Sequence, residues 1–164
     1  MTVLITDVQI LGTGSKDLGG PPNLTKILTG KVELFPRVTA SQALLGYTDY
    51  RCIVVKNSSA ISDFHNVQIF IELNSSIVGL DYALALGQAP VNQPEALIGA
   101  PDVPPAGVLF LTPTQDPTRK FNLDLGTLPK GGGYRSVWIS RTIQAGSYAP
   151  EHGVVRLAVV GETD

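Results

Sequence analysis

Two histidines, one cysteine and a scatter of carboxylates are the side chains in this 164-residue chain with the chemistry for acid–base, nucleophilic or metal work. His65 and His152 sit in separate polar stretches, and neither has a second His or Cys at ligand spacing. No Cys₄, Cys₂His₂ or His-Glu-x-x-His pattern occurs, so the expected metal and cofactor complement is none. Asp63 beside His65 and Glu151 beside His152 read as turn caps and solvated charges rather than a glycosidase pair. Cys52 lies inside the apolar run Tyr50–Val55, which suits a buried small hydrophobe better than a nucleophile. A Gly-x-Ser-x-Gly elbow is absent. Gly12-Thr13-Gly14-Ser15-Lys16 has the composition of a phosphate loop but the wrong order. The lysine and hydroxyl must open a helix, and Pro21-Pro22 follows instead. The expectation is a chain without catalytic residues.

The elements that would position any such groups are strands. Val67, Ile69, Ile71 and Leu73 alternate with Gln68, Phe70 and Glu72, and Val78–Leu84 and Phe121–Leu125 show the same period of two. Further strands are expected near Thr2–Ile10, Lys31–Phe35, Tyr50–Lys56, Gly107–Leu111, Tyr134–Thr142 and Gly153–Val160. Asn74-Ser75-Ser76 and Lys130-Gly131-Gly132-Gly133 read as hairpin connections. Thr39–Leu45 has the pattern for two helical turns, capped by Thr39 or Ser41 and stopped by Gly46, but is too short to stand alone and reads as a packed turn on a loop. The whole predicts an all-β fold, a two-sheet antiparallel β-sandwich of jelly-roll or immunoglobulin-like type with long Gly/Pro-rich loops. Residues 1–46 read as an N-terminal strand and loop extension able to grip a partner, and residues 47–164 as the sandwich core of one domain.

Two stretches interrupt the strand rhythm. Gly12–Pro22 reads as an exposed loop. Gly87–Pro105 carries Pro90, Pro94, Pro101, Pro104 and Pro105, and reads either as an arm lying across a neighbour or as a solvated loop. Some strands are apolar on both faces: Ile53 and Val55 oppose Cys52 and Val54, and Val137 and Ile139 oppose Trp138 and Tyr134. One face is covered by the opposing sheet. The other needs a loop, the Pro-rich arm or a second subunit, and the subunit is the preferred expectation.

Charged residues make up only 16% and apolar residues 43%, with mean hydropathy +0.17, so little of the surface is defended by charge. The net charge of −2, from 12 basic and 14 acidic residues, gives no basic surplus for nucleic acid. No run approaches the ~20 apolar residues of a membrane span. Met1–Asp7 lacks a basic leader and reads as no signal peptide. The Asn-x-Ser/Thr triplets at Asn23, Asn57 and Asn74 are read as turn chemistry.

Tyr50-Arg51-Cys52-Ile53-Val54-Val55-Lys56-Asn57 resembles a strand of small structural proteins from tailed bacteriophages. The same pattern continues with the apolar strand Val67–Leu73, with Pro105-Ala106-Gly107-Val108 after a Pro-rich loop, with Leu123–Leu128, and with Val137-Trp138-Ile139-Ser140-Arg141-Thr142. Together these pieces span residues 48–160, and the first 45 residues carry no such likeness. The resemblance implies a virion component built on a β-sandwich and brings no catalytic residue with it. The expected function is that of a capsid decoration (cement) protein, held by multivalent contacts to the major capsid protein lattice. The expected state is a homo-oligomer, with a trimer preferred. It would be assembled in the host cytoplasm and located in the virion, without nucleic acid or membrane as partner. A tail or baseplate protein is the alternative, and a carbohydrate-binding module a more distant one. Arg51, Arg135, Arg141 and Arg156 are the expected polar contact residues, with Trp138 as the aromatic one.

Overall fold

A computed structural model describes residues 7–30, 32–75, 77–112, 122–147 and 154–163. Parts of several expected features lie outside them: Thr2–Thr6, Lys31, Ser76, Phe121, Glu151, His152 and Gly153.

The described residues form two antiparallel sheets, as the period-two pattern requires. The strands are β1 (Val8–Thr13), β2 (Pro22–Ile27), β3 (Tyr47–Asn57), β4 (Phe64–Leu73), β5 (Leu80–Leu86), β6 (Leu123–Leu128), β7 (Tyr134–Ile143) and β8 (Arg156–Thr163). The five-stranded sheet runs β2-β1-β3-β7-β5, and the three-stranded sheet runs β6-β4-β8. The segment read as a packed turn forms a short helix, α1 (Ala40–Leu45). Thr39 accepts from the Gln42 amide while the Gln42 side chain accepts from the Thr39 amide, a reciprocal cap, and Gly46 ends the helix.

The alternating apolar residues meet between the sheets. Ile53 and Val55 of β3, Leu80, Tyr82 and Leu84 of β5, and Val137, Ile139 and Ile143 of β7 pack on Val67, Ile69 and Ile71 of β4 and Leu123, Leu125 and Leu128 of β6. The long pairing of β3 with β7 runs from Tyr47↔Ile143 to Lys56↔Tyr134 and centres the larger sheet.

Several connections differ from the sequence reading. Asn74 and Ser75 do not close a hairpin, because β4 and β5 lie in different sheets. The same holds for Lys130–Gly133, which carries the chain from β6 to β7 across the sandwich. There Gly131 and Gly132 have φ of 78° and 108°, and a Cβ on Gly133 would strike the Pro129 backbone. Residues 107–111 form no strand and pair with the sheet through a single bridge between Leu84 and Leu111, and the residues around Leu34 are irregular. Conversely β2 forms in a segment where no strand is expected, beginning with Pro22 at the outer edge, where a missing amide costs no ladder bond.

The N-terminal strands are not an extension apart from the sandwich. β1 pairs with β3 from Val8↔Asn57 to Gly12↔Ile53, and Leu11 is buried. Residues 8–27 can meet a partner only through their exposed side chains and the outer edge of β2, not as a free arm.

Candidate functional site

The outer face of the five-stranded sheet is apolar at its centre, and the chain covers it itself. Cys52, Ala85 and Trp138 are wholly buried there, beneath Tyr50, Ile98, Val108 and Phe110. Ile98 comes from the Pro-rich stretch and Val108 and Phe110 from the residues just after it, so this run of chain lies across its own sheet and supplies the second cover. Backbone bonds hold it down: Tyr50 N donates to Pro101 O at 2.7 Å, Gly87 N to Ser136 O at 3.0 Å and Asn92 N to Tyr134 O at 2.9 Å. Glu95 is the central pin. It is buried, accepts from Trp138 Nε1 at 3.1 Å through Oε2, and accepts from the Ala89 amide through Oε1.

The other rhythm-breaking stretch meets the first. Gly20 N donates to Glu95 O at 2.9 Å and Ile98 N to Leu18 O at 2.9 Å. Gly19 has φ of 97°, and a Cβ there would run into the Ala96 carbonyl. The tempting Gly12–Lys16 run is therefore a structural turn. Its anchor is Asp17, buried, which accepts from the Thr13 amide at 3.0 Å and pairs with Lys26. Cys52 N donates to Asp17 O at 2.7 Å, and Thr13 Oγ1 donates to Cys52 O at 3.0 Å. Burial pushes the Cys52 thiol up to about 12, the Thr13 hydroxyl opposing only in part.

The strand arginines do not gather on one surface. Arg51 and Arg141 share the parity of Ile53 and Ile139, so they point between the sheets. Arg141 forks onto Asp49, with Nε to Oδ1 at 2.9 Å and Nη2 to Oδ2 at 2.8 Å, and its Nη1 donates to Pro36 O at 2.7 Å. Arg51 lies 4.0 Å from the same carboxylate and donates to Tyr50 O at 2.7 Å. Phe35 takes both guanidinium groups on its ring, at 4.8 Å for Arg141 and 5.3 Å for Arg51, and packs on Tyr82. Burial lowers the Arg51 pKa against the opposing pull of Asp49, and burial likewise raises those of Tyr47 and Tyr82. This arrangement fixes the register of β3 on β7 and pins residues 35–36 to the sandwich.

As contact residues for a partner, Arg51, Arg141 and Trp138 are therefore corrected: all three are buried and bonded within the chain. Arg135 is half-buried at the edge of a cleft, and Arg156 is exposed on the edge strand β8, 3.7 Å from Glu72. Asp63 accepts from the Lys130 amide at 2.9 Å and holds a loop as expected, whereas His65 lies on β4 rather than in a turn, its Nδ1 3.3 Å from Thr127 Oγ1 on β6. Sequence reasoning missed Asp17, Asp49 and Glu95. For Asp49 a signal exists, since Asp49 and Arg51 both occupy the apolar parity of their strand. For Glu95, within a loop, no such signal exists. Among the described residues no cluster of three His, Cys, Asp or Glu is placed to hold a metal, and no helix is long and apolar enough to cross a membrane. Comparison of the chain with protein-family models, with curated proteins and with solved structures finds no match in any of the three.

Proposed function

We propose that this chain is a structural component of a tailed-phage virion, acting as a capsid decoration protein that binds the major capsid lattice without turning over a substrate. The observation that carries the reading is where the phage-like segments lie. Tyr50–Asn57 and Val137–Thr142 are adjacent strands in continuous register, and Leu123–Leu128 and Val67–Leu73 pair in the facing sheet. Val108 of the third segment belongs to the cover on the outer face. Segments scattered over a hundred residues thus build one scaffold, as a shared structural role requires. Buried polar groups in this scaffold hold loops to strands, as Glu95, Asp17 and Asp49 do. Its exterior carries large apolar side chains, among them Leu24, Leu44, Leu45, Val78 and Leu109, suited to adhesion. Multivalent attachment of a homo-oligomer, a trimer on a local three-fold axis, makes modest contacts sufficient, since avidity exceeds single-site affinity by about 10²–10⁴. A carbohydrate-binding role loses its obvious platform, because the single tryptophan is buried.

The deciding experiment is the copy number of this chain in purified particles, measured by quantitative mass spectrometry. A decoration protein is present in hundreds of copies. A dozen or fewer would move it to the tail or baseplate, and absence from particles would end the virion reading.

A further inference from the structure

β7 continues past the point where β5 leaves it. Their pairing ends at Leu86↔Val137, so Arg135, two residues before Val137, has no neighbour from β5. The chain instead swings away at Gly87, and residues 107–111 return along the far side. The gap is a cleft of about 380 Å³ between Leu86, Gln88, Leu109, Leu111, Leu123 and Arg135. Leu86, Leu109, Leu111 and Leu123 line it beside polar surface of nearly equal extent, and Leu109 and Leu111 are 73% and 46% exposed at its rim. Set among these leucines is one cation. The Arg135 Nε is sealed from solvent and donates to no acceptor, and the ion pairs among the described residues do not include this guanidinium.

A buried N–H of a charged group without an acceptor is rare, because its desolvation is uncompensated. Arg51 and Arg141, on the same inner parity of the same sheet, each find oxygen acceptors, so this isolation is specific to the cleft. The edge of a guanidinium formed by Nε and one Nη matches the two oxygens of a carboxylate. The cleft lies open along one side. A small amphiphile would be left half in water there, whereas a chain segment passing over the rim is held by contacts on both sides.

We infer that this cleft is a receptor for a carboxylate carried next to an apolar side chain on an extended segment of a partner protein. The carboxylate takes the free edge of Arg135 and the apolar neighbour packs on Leu86, Leu111 and Leu123. Leu109, the most exposed wall, turns aside to admit it. The inference goes beyond the virion reading and does not rest on it, since no particle enters its test.

The test titrates the full chain with acetyl-Leu-Asp-Leu-amide, acetyl-Leu-Asn-Leu-amide and decanoate, following backbone amides and the Arg135 Nε–H by NMR. The aspartyl peptide is expected to shift the Arg135 Nε–H and the Gly87, Gly107 and Leu123 amides. The asparaginyl peptide should bind at least about tenfold more weakly, the loss expected for a charged hydrogen bond. Arg135→Gln should abolish the difference between the two peptides while leaving core amides such as Ile53 and Leu125 in place. Arg135→Lys keeps the charge without the fork and should recover only part of it. Equal binding of both peptides, no shift with either, or unchanged discrimination in the Gln variant would overturn the proposal. So would binding of decanoate alone, which would make the cleft a small-molecule site.

Discussion

Asp49 ties two buried arginines together between the sheets. It is 1% exposed, both its oxygens accept from Arg141, and Arg51 stands 4.0 Å away. Removing one partner of a buried pair strands the other, at about 3–5 kcal/mol. Asp49→Ala should lower stability by that order in urea unfolding, whereas Asp49→Leu combined with Arg51→Met and Arg141→Met should recover much of the loss, because well-packed apolar groups often replace buried ion clusters at little cost. A triple variant as unstable as the single one would show that the ions themselves, not their isolation, are needed. The Cys52 thiol gives a second test. Its folded pKa is raised from 9.0 to about 12. The stabilisation from keeping it neutral is therefore complete below the unfolded pKa and drains away as pH rises from about 9 to about 12. Raised pKa values at Tyr47, Tyr82 and Tyr134 act in the same direction. Stability should fall with a slope of up to about 1.4 kcal/mol per pH unit from the thiol, and Cys52→Ala should flatten that slope even as it costs packing. At this scale the sequence was partly legible. Cys52 reads correctly as buried from its apolar neighbours. Arg51 and Arg141 read as outward because β3 and β7 are apolar on both faces, and the pairing that reveals their direction links residues 92 positions apart.

The strands themselves were largely legible, because period-two burial is imprinted locally. Which sheet each strand joins was not. Asn74–Ser75 and Lys130–Gly133 have the turn chemistry of hairpins, but Gly and Asn serve equally where the chain leaves one sheet for the other. Alternation tells which side of a strand is buried and carries no information on its neighbour. β2 was hidden by its position between Pro21-Pro22 and a run with no regular alternation. The Pro-rich stretch was recognisable as a distinct element, but its resting place was not, since Glu95 finds Trp138 only once β7 is in the sheet. The two loops form one cover, and at Gly19 it leaves no room for a side chain beside the Ala96 carbonyl. Gly19→Ala, strained both by its positive φ and by that contact, should destabilise by about 1–3 kcal/mol. Hydrogen exchange should locate the damage: faster exchange at the Gly20, Ile98 and Tyr50 amides, with Ile53 and Val137 unchanged. Uniform loss of protection across both sheets would mean the loops and the sandwich open only together.

Over the whole molecule, the path of the chain binds the two sheets into one unit. From β3 onward each connection crosses the sandwich, so β3, β5 and β7 lie in the larger sheet and β4, β6 and β8 in the smaller. Neither sheet can complete itself from adjacent segments, and each strand's inner face is covered only when the other sheet is present. Such non-local pairing places folding on a scale of about milliseconds to seconds. The outer cover is a third layer, and Trp138 reports on it directly, buried beneath the loops and bonded to Glu95. Far-ultraviolet circular dichroism reports on the sheets. The cover is tied to the central strands by the amides of Tyr50 and Gly87 as well as by Glu95, so its loss would leave buried donors and an apolar sheet face in water at once. The two signals should therefore trace one transition in urea, with coincident midpoints. A tryptophan transition at clearly lower urea would make the cover an independently opening layer. The apolar face over Cys52, Ala85 and Trp138 would then be available to a partner after all, which the sequence suggested and the closed structure does not offer.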